Sequence, residues 1–355
     1  MKTNTTDILI IGAGLTGLTL AYYLKQLNVS VTIAEARSHI GGRISTTYNT
    51  NQAPLDLGAT WLMDSHNELK HLLQKLDLSV FKQHYGNTAI YEPNSSTPAQ
   101  LVNLPESNAP SYRITHGTQT LIKTLSNTLE SDQIITNCTI SSIKKIEEFM
   151  YATSKTHSFK CKYIVSTLPP CLFNKTISII PKLPGNITTI CQNTHTWMHD
   201  SIKVGFTFTF PFWKTKGTSG TIYSSVGALQ EFYDHSNAEQ NRYALVGFMN
   251  KTFYNYTKAE RQEFALKQLQ AYYGSQVRQF LSYEELIWQD EVFTNAHDGR
   301  FIMQQQNNGH PLFQNALLNN SLFIAGTETS PFAPGKMEGA IRSAQFIFKQ
   351  IASLL

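Results

Sequence analysis

The chain has 355 residues, enough for two domains around a substantial core. Its net charge of +4 is spread along the chain without a run of five or six like charges, which argues against nucleic acid or an anionic membrane surface as the main partner. Apolar residues make up 41% and charged residues 15%, an ordinary globular balance.

Four cysteines, Cys138, Cys161, Cys171 and Cys191, show no C-x-x-C spacing, so the reading is a thiol-reduced cytoplasmic protein with no zinc site. The start, MKTNTTDILIIGAG, lacks an apolar stretch closed by a small-residue cleavage site. No run of eighteen apolar residues occurs, and FIFKQIASLL at the end is too short to span a bilayer, so no transmembrane segment is expected.

In chain order, DILII at 7–11 reads as a short buried strand. The turn GAGLTG follows, then the helical stretch LTLAYYLKQLN and a second strand, VSVTIAE, ending on Glu35. The triplet Gly12, Gly14, Gly17 alone is weak evidence. Here it follows a strand, opens a helix and precedes an acidic residue about twenty positions on, as a dinucleotide fingerprint requires. Gly12 permits the tight turn, Gly14 lets the backbone approach a pyrophosphate, and Gly17 allows close packing of helix on strand. The helix N-terminus faces phosphate charge, and Glu35 accepts hydrogen bonds from a ribose. Next, EARSHIGGRIS sets Arg37 and Arg43 around Gly41 and Gly42, a cationic fork suited to a second approach to the pyrophosphate.

With E-A-x-x-x-x-G-G-R in place, the sequence resembles the flavin-containing amine oxidase superfamily, which includes monoamine, polyamine and L-amino-acid oxidases. The resemblance implies an α/β fold, a Rossmann-type FAD-binding domain interleaved with a smaller α+β substrate domain, and FAD as the cofactor in place of NAD. It continues at LDLGATWLM, where it implies that Gly58, Ala59 and Thr60 approach the isoalloxazine and that Trp61 faces the active-site cavity. A plain core position for Trp61 carries equal weight on composition alone. RITHGTQTLIKTLSNTL looks like the glycine turn and helix that lead back to the FAD domain. NCTISSIKKIEE and CKYIVSTLPP follow as strands, with Thr139 at the place where the family holds the adenine.

SIKVGFTFTF alternates Val, Phe and Thr as a strand does. The resemblance places Lys203, upstream of Phe212 and Trp213, where the family holds a water against flavin N5; a lysine on such a strand otherwise faces solvent. In the closing segment SLFIAGTETSPFAPGKMEGAIRSAQFIFKQI, a strand ends in a turn at Gly326, Glu328 follows, and a helix begins near Met337; the resemblance implies that Gly326, Glu328 and Met337 contact the cofactor. The resemblance points this helix at the flavin pyrimidine, where free amides and the positive helix end stabilise negative charge on the reduced ring.

These anchors divide the chain into an FAD-binding domain at 1–65, 113–195 and 289–355 and a substrate domain at 66–112 and 196–288. At 355 residues the chain is shorter than typical members. Two departures matter. Lys336 stands where the family has one ring of an aromatic cage, and a looser match puts His297 near the covalent cysteine and Asp298 near the other ring. No cysteine lies in 192–355, so FAD is expected to be noncovalent. A lysine ammonium repels a cationic substrate and attracts an anionic one.

The leading reading is therefore an FAD-dependent oxidase that takes hydride from the C–N bond of an amine or amino acid, a carboxylate-bearing small molecule favoured. Oxygen as acceptor gives hydrogen peroxide, and Lys203, Lys336 and Trp61 carry the site. Two others stand beside it. One is renalase-like oxidation of reduced nicotinamide species, or another flavin desaturase or oxidase. The other is a non-catalytic FAD-binding protein.

Overall fold

The computed structural model describes residues 2–105, 109–215, 217–296 and 301–355. Its centre is a parallel five-stranded sheet in the order Ile134–Ile135, Val31–Ala34, Ile8–Ile11, Tyr163–Ser166, Leu322–Ile324. The strand ILII is buried along its whole length because both faces are covered, the usual reason a parallel strand reads as an unbroken apolar run. Ile8 and Ile10 join a core with the helices Leu15–Leu24 and Met337–Ala352. Leu9 and Ile11 point the other way, into a core with Ile143, Met150 and Phe159.

That second core belongs to a sheet the sequence reading only partly anticipated. Phe149–Thr153 and His157–Cys161 form a hairpin beside Ser142–Ile146, with Lys2–Thr5 and Ser178–Ile180 at the edges. The helix Leu15–Leu24 is apolar nearly all round because it lies between the central sheet and the helix Met337–Ala352.

A seven-stranded sheet forms the other half, in the order Phe280–Ile287, Ile202–Phe208, Tyr243–Met249, Leu229–Asp234, Ile222–Ser224, Thr88–Glu92, Gln100–Asn103. The helix Lys258–Tyr273 covers one face. Thr257 and Glu260 close a capping box at its start, and Ala265, Leu266, Leu269 and Tyr273 pack on Val204, Phe206 and Phe232.

Ile202–Phe208 is buried at all seven positions, which its alternating pattern does not predict. Ile202, Val204, Phe206 and Phe208 face the helix side. On the opposite face the segment 52–60 lies against Lys203, Gly205 and Thr207. Thr207 Oγ1 donates to Gln52 Oε1 at 2.6 Å, and a side chain at Gly205 would press on Leu55. A strand with one polar row is thus buried on both faces because a distant loop seals that row.

Candidate active site

The two halves enclose a cavity of about 1210 Å³. One wall is built from backbone. Gly12, Gly14, Leu15 and Thr16 line it, with Glu35, Arg37, Gly42 and Arg43 beside them. Gly12 has φ +106°, a turn closed to other L residues. Gly17 does not reach the cavity; a Cβ there would lie 2.1 Å from the Gly12 carbonyl, so its missing side chain brings helix and turn together. The helix Leu15–Leu24 has no side-chain cap and no acidic residue in its first turn, so its amides stay available to an anion.

Glu35 is buried, and its carboxylate accepts from Ala13 N at 2.7 Å and Arg37 N at 2.9 Å. The two arginines depart from a free cationic fork. Arg37 donates to Glu291 at 2.7 Å and to Thr294 at 2.9 Å. Arg43 is held by both oxygens of Glu328, one of them at 2.8 Å from Nη2. Glu328 itself is a correction: it is 0% exposed and does not line the cavity. Its carboxylate instead holds the Arg43 guanidinium, which does line it.

Cys138, Thr139 and Ile140 line the cavity next to Glu35, whose carbonyl accepts the Cys138 N–H at 2.8 Å. Gly58, Ala59, Thr60 and Trp61 line it further along. Gly58 has a packing reason to be glycine, since a Cβ would meet the Arg43 carbonyl at 2.3 Å. Gly326, at φ +135°, and Met337 complete this wall. The helix Met337–Ala352 starts at Lys336 without a side-chain cap. Its first-turn acid, Glu338, turns away and accepts the amides of Glu68 and Leu69, at 3.2 and 2.8 Å, capping the helix Asn67–Lys75 from another part of the chain. The helix start is thereby left free toward the cavity.

Lys203 is 2% exposed, and its Nζ donates to the Gly58 carbonyl at 2.8 Å and to Thr60 Oγ1. It also lies 4.8 Å from the centre of the Trp61 ring and 5.5 Å from that of Phe248. Burial pushes its pKa down to about 7; Asp56 opposes the shift and Arg113 adds to it. Trp61 lines the cavity and is fixed edge-on to Tyr233, with Nε1 donating to Gln83 at 3.1 Å.

Lys336 faces the cavity mouth, with Nζ 4.6 Å above the Trp197 ring. The side chain is open to solvent by area, yet crowding by its surroundings is enough to lower the ammonium pKa. Gly335 makes this seat, because a Cβ would press on Trp197 at 2.8 Å. His297 and Asp298 lie outside the described residues.

Of the opposite wall, the sequence reading singled out Lys203 alone. Lys203, Phe248, Glu231, Tyr223 and Tyr91 are cross-strand partners in one row over five strands, and all five line the cavity. At about 4.8 Å per strand, Glu231 lies about 10 Å from Lys203 and Tyr91 about 19 Å. Tyr233 donates to Glu231 at 3.0 Å. A row of this kind depends on register, which no linear spacing reveals.

The chain matches the family model for flavin containing amine oxidoreductase over residues 94–346, and that for an NAD(P)-binding Rossmann-like domain over 10–76. A probable flavin-containing monoamine oxidase A of Dictyostelium discoideum is 22% identical, with 98% of each chain covered. Over shorter stretches, a probable polyamine oxidase 4 of Arabidopsis thaliana is 33% identical, covering 24% of this chain and 18% of that protein. Among solved structures, a putrescine oxidase with putrescine bound superposes with a TM-score of 0.84 at 19% identity, covering 99% and 100% of the two chains. Cyclohexylamine oxidase from Brevibacterium oxydans IH-35A gives 0.85 at 17%, covering 98% and 99%. No helix among the described residues is long and apolar enough to cross a membrane. The chain belongs to the flavin containing amine oxidoreductase family and is a flavin-dependent oxidoreductase.

Proposed function

We propose that the protein is an FAD-dependent amine oxidase that holds FAD noncovalently along the glycine wall and oxidises a charged small-molecule amine. The observation that carries this is Lys203, buried in the one cavity that also contains the uncapped helix starts at Gly14 and Lys336. The cradle fits the group: Gly12, Gly14 and Gly42 keep side chains off the pyrophosphate path, Glu35 reads a ribose, and Thr139 borders the adenine end. Arg43, set by Glu328, and the amides around Met337 face the rest of the cofactor. Of the four cysteines, Cys138 alone lines the cavity, and it does so beside Glu35, at the ribose end of the cradle, which supports a noncovalent flavin.

Bound flavin supplies a hydride acceptor for the carbon next to nitrogen and returns the electrons to oxygen, with release of hydrogen peroxide. The protein's own part is to hold and orient. Lys203 spends two donors on Gly58 and Thr60, which fixes Nζ beside Trp61, where it holds a water and exchanges a proton near neutral pH. Trp61 and Phe248 give the substrate carbon a dry, aromatic boundary.

Lys336 favours a substrate with a carboxylate, the ammonium on Trp197 being a cation that lines the cavity. A second reading rests on the cross-strand row. Glu231, about 10 Å from Lys203 and framed by Tyr223 and Tyr233, suits a second cationic group on the substrate. Anaerobic mixing of the purified holoprotein with a simple monoamine, an amine bearing a carboxylate, an α,ω-diamine and reduced nicotinamides distinguishes these. Bleaching by the carboxylate-bearing amine is expected under the first reading and by the diamine under the second. Bleaching by nicotinamides alone, or by none, sinks the amine oxidase proposal.

A further inference from the structure

Trp61 carries one polar atom, the indole Nε1–H. Its ring lines the cavity and is half-buried, so one side is open and packing does not by itself fix how the ring is turned. Tyr233 stands edge-on at 5.4 Å between ring centres, Phe248 lies tilted at 6.4 Å, and Lys203 Nζ sits over the ring, 4.8 Å from its centre. Those contacts belong to one setting of the indole, and a hydrogen bond selects it: Nε1 donates to Gln83 Oε1 at 3.1 Å.

Gln83 is 2% exposed and does not line the cavity. It follows the strand Val80–Lys82, and its backbone N–H donates to the Ser111 carbonyl at 2.8 Å. Its amide Nε2 donates to the Asp234 carbonyl at 2.7 Å and to the His84 carbonyl at 2.9 Å. With both donors on carbonyls, Oε1 is the atom that faces the indole; turned over, the amide would set oxygen against oxygen and N–H against N–H. Asp234 is itself held, its carboxylate accepting the Ser236 N–H at 2.8 Å and Trp213 Nε1 at 3.0 Å. It ends the strand Leu229–Asp234, which also carries Glu231 and Tyr233. One amide thus joins the indole to the side-chain wall of the cavity.

We propose that Gln83 is a positioning residue for the reaction: it takes up the indole N–H, keeps the Trp61 ring over Lys203 Nζ, and leaves the substrate an aromatic boundary without a competing donor. This rests on the reading of Trp61 and Lys203 as the groups beside the flavin. A freed indole N–H seeks a new acceptor, since an unmet donor is costly, and a water or an amine nitrogen in the cavity supplies one. The ring then turns off Lys203, and the water held there and the substrate both lose their setting.

Two readouts test this on FAD-loaded protein. The first is the proton–nitrogen correlation spectrum of the indole groups; the chain has four tryptophans, and the signal missing in Trp61→Phe belongs to Trp61. In Gln83→Met that signal moves and its N–H exchanges with water about ten-fold faster or more, while the signals of Trp197 and Trp288 stay. The second is the rate of anaerobic flavin reduction by whichever of the three amines above bleaches the wild type fastest. Gln83→Met lowers it about ten-fold, the effect of one hydrogen bond. Added to Trp61→Phe, which has no N–H to place, the same substitution lowers it by less than about two-fold. Gln83→Glu keeps an acceptor for the indole and, protonated by burial, one donor, so signal and rate return toward the wild type. Losses that multiply in the double variant, or a Trp61 signal unmoved in Gln83→Met, overturn the proposal. If Gln83→Met does not retain FAD, Gln83→Glu decides alone: signal and rate change or stay together under the proposal, and one changing without the other refutes it. Wild-type rates in both Trp61→Phe and Lys203→Met refute the reading of the site itself, a separate failure.

Discussion

The two walls of the cavity are made of different material. The wall from Gly12 to Arg43 and from Gly326 to Met337 offers backbone amides, held by glycines whose side chains would collide with neighbouring carbonyls. The wall across the seven-stranded sheet offers side chains, a lysine, a phenylalanine, a glutamate and two tyrosines, aligned by strand register. A backbone wall binds what every dinucleotide shares, a pyrophosphate and sugars. A side-chain wall selects among substrates, because each position can change without disturbing the ladder beneath it.

The largest effect expected is on the backbone wall. Gly17→Val places carbon about where the Gly12 carbonyl stands, a clash of several kcal/mol, and the purified protein should emerge colourless or unfolded. A yellow protein with full flavin content would show that this turn does not hold the cofactor. Next is Lys203→Met: flavin content unchanged, turnover lower by about 10²-fold or more. An unchanged turnover would remove Lys203 from the chemistry and leave it a packing residue.

The sheet wall should respond more selectively. Glu231→Gln is expected to raise KM for an α,ω-diamine about 10-fold or more, a charge-assisted bond being worth about 1.5–3 kcal/mol, while kcat for a monoamine stays. Equal losses for both substrates would place Glu231 outside the binding path. The smallest effect is at Lys336→Met, where an exposed ammonium contributes about 1 kcal/mol or less. Preference for carboxylate-bearing over uncharged amines should fall about five-fold, measured as a ratio of kcat/KM. An unaltered ratio means that the ammonium does not meet the substrate.

Much of the cofactor wall was readable in the sequence because its geometry is local. A strand, a glycine turn and a helix within thirty residues constrain one another, so the positions of Gly12, Gly14 and Gly17 carry information without the rest of the chain. The exceptions are instructive. Arg43 and Glu328 both occur in recognisable motifs, yet nothing linear says that one holds the other across 285 positions. Glu338 looks like a first-turn helix acid and instead caps the helix at Asn67. The strand Ile202–Phe208 suggested a lysine facing solvent on periodicity, and burial of its polar row came from the loop at 52–60. Glu231 carried no signal, since exposed glutamates are common and its relation to Lys203 exists only through Phe248 on the strand between them.

Sequence alone determined the dinucleotide turn, the helix at the C-terminal end and the resemblance that joined them, because short-range sterics and helix amides leave few alternatives. The burial of Lys203, the pairing of Glu328 with Arg43 and the alignment of a glutamate with a lysine were decided by tertiary structure. Each depends on which distant groups are brought within a few ångströms and shut away from water, where a charge gains its strength from its neighbours and not from its place in the chain.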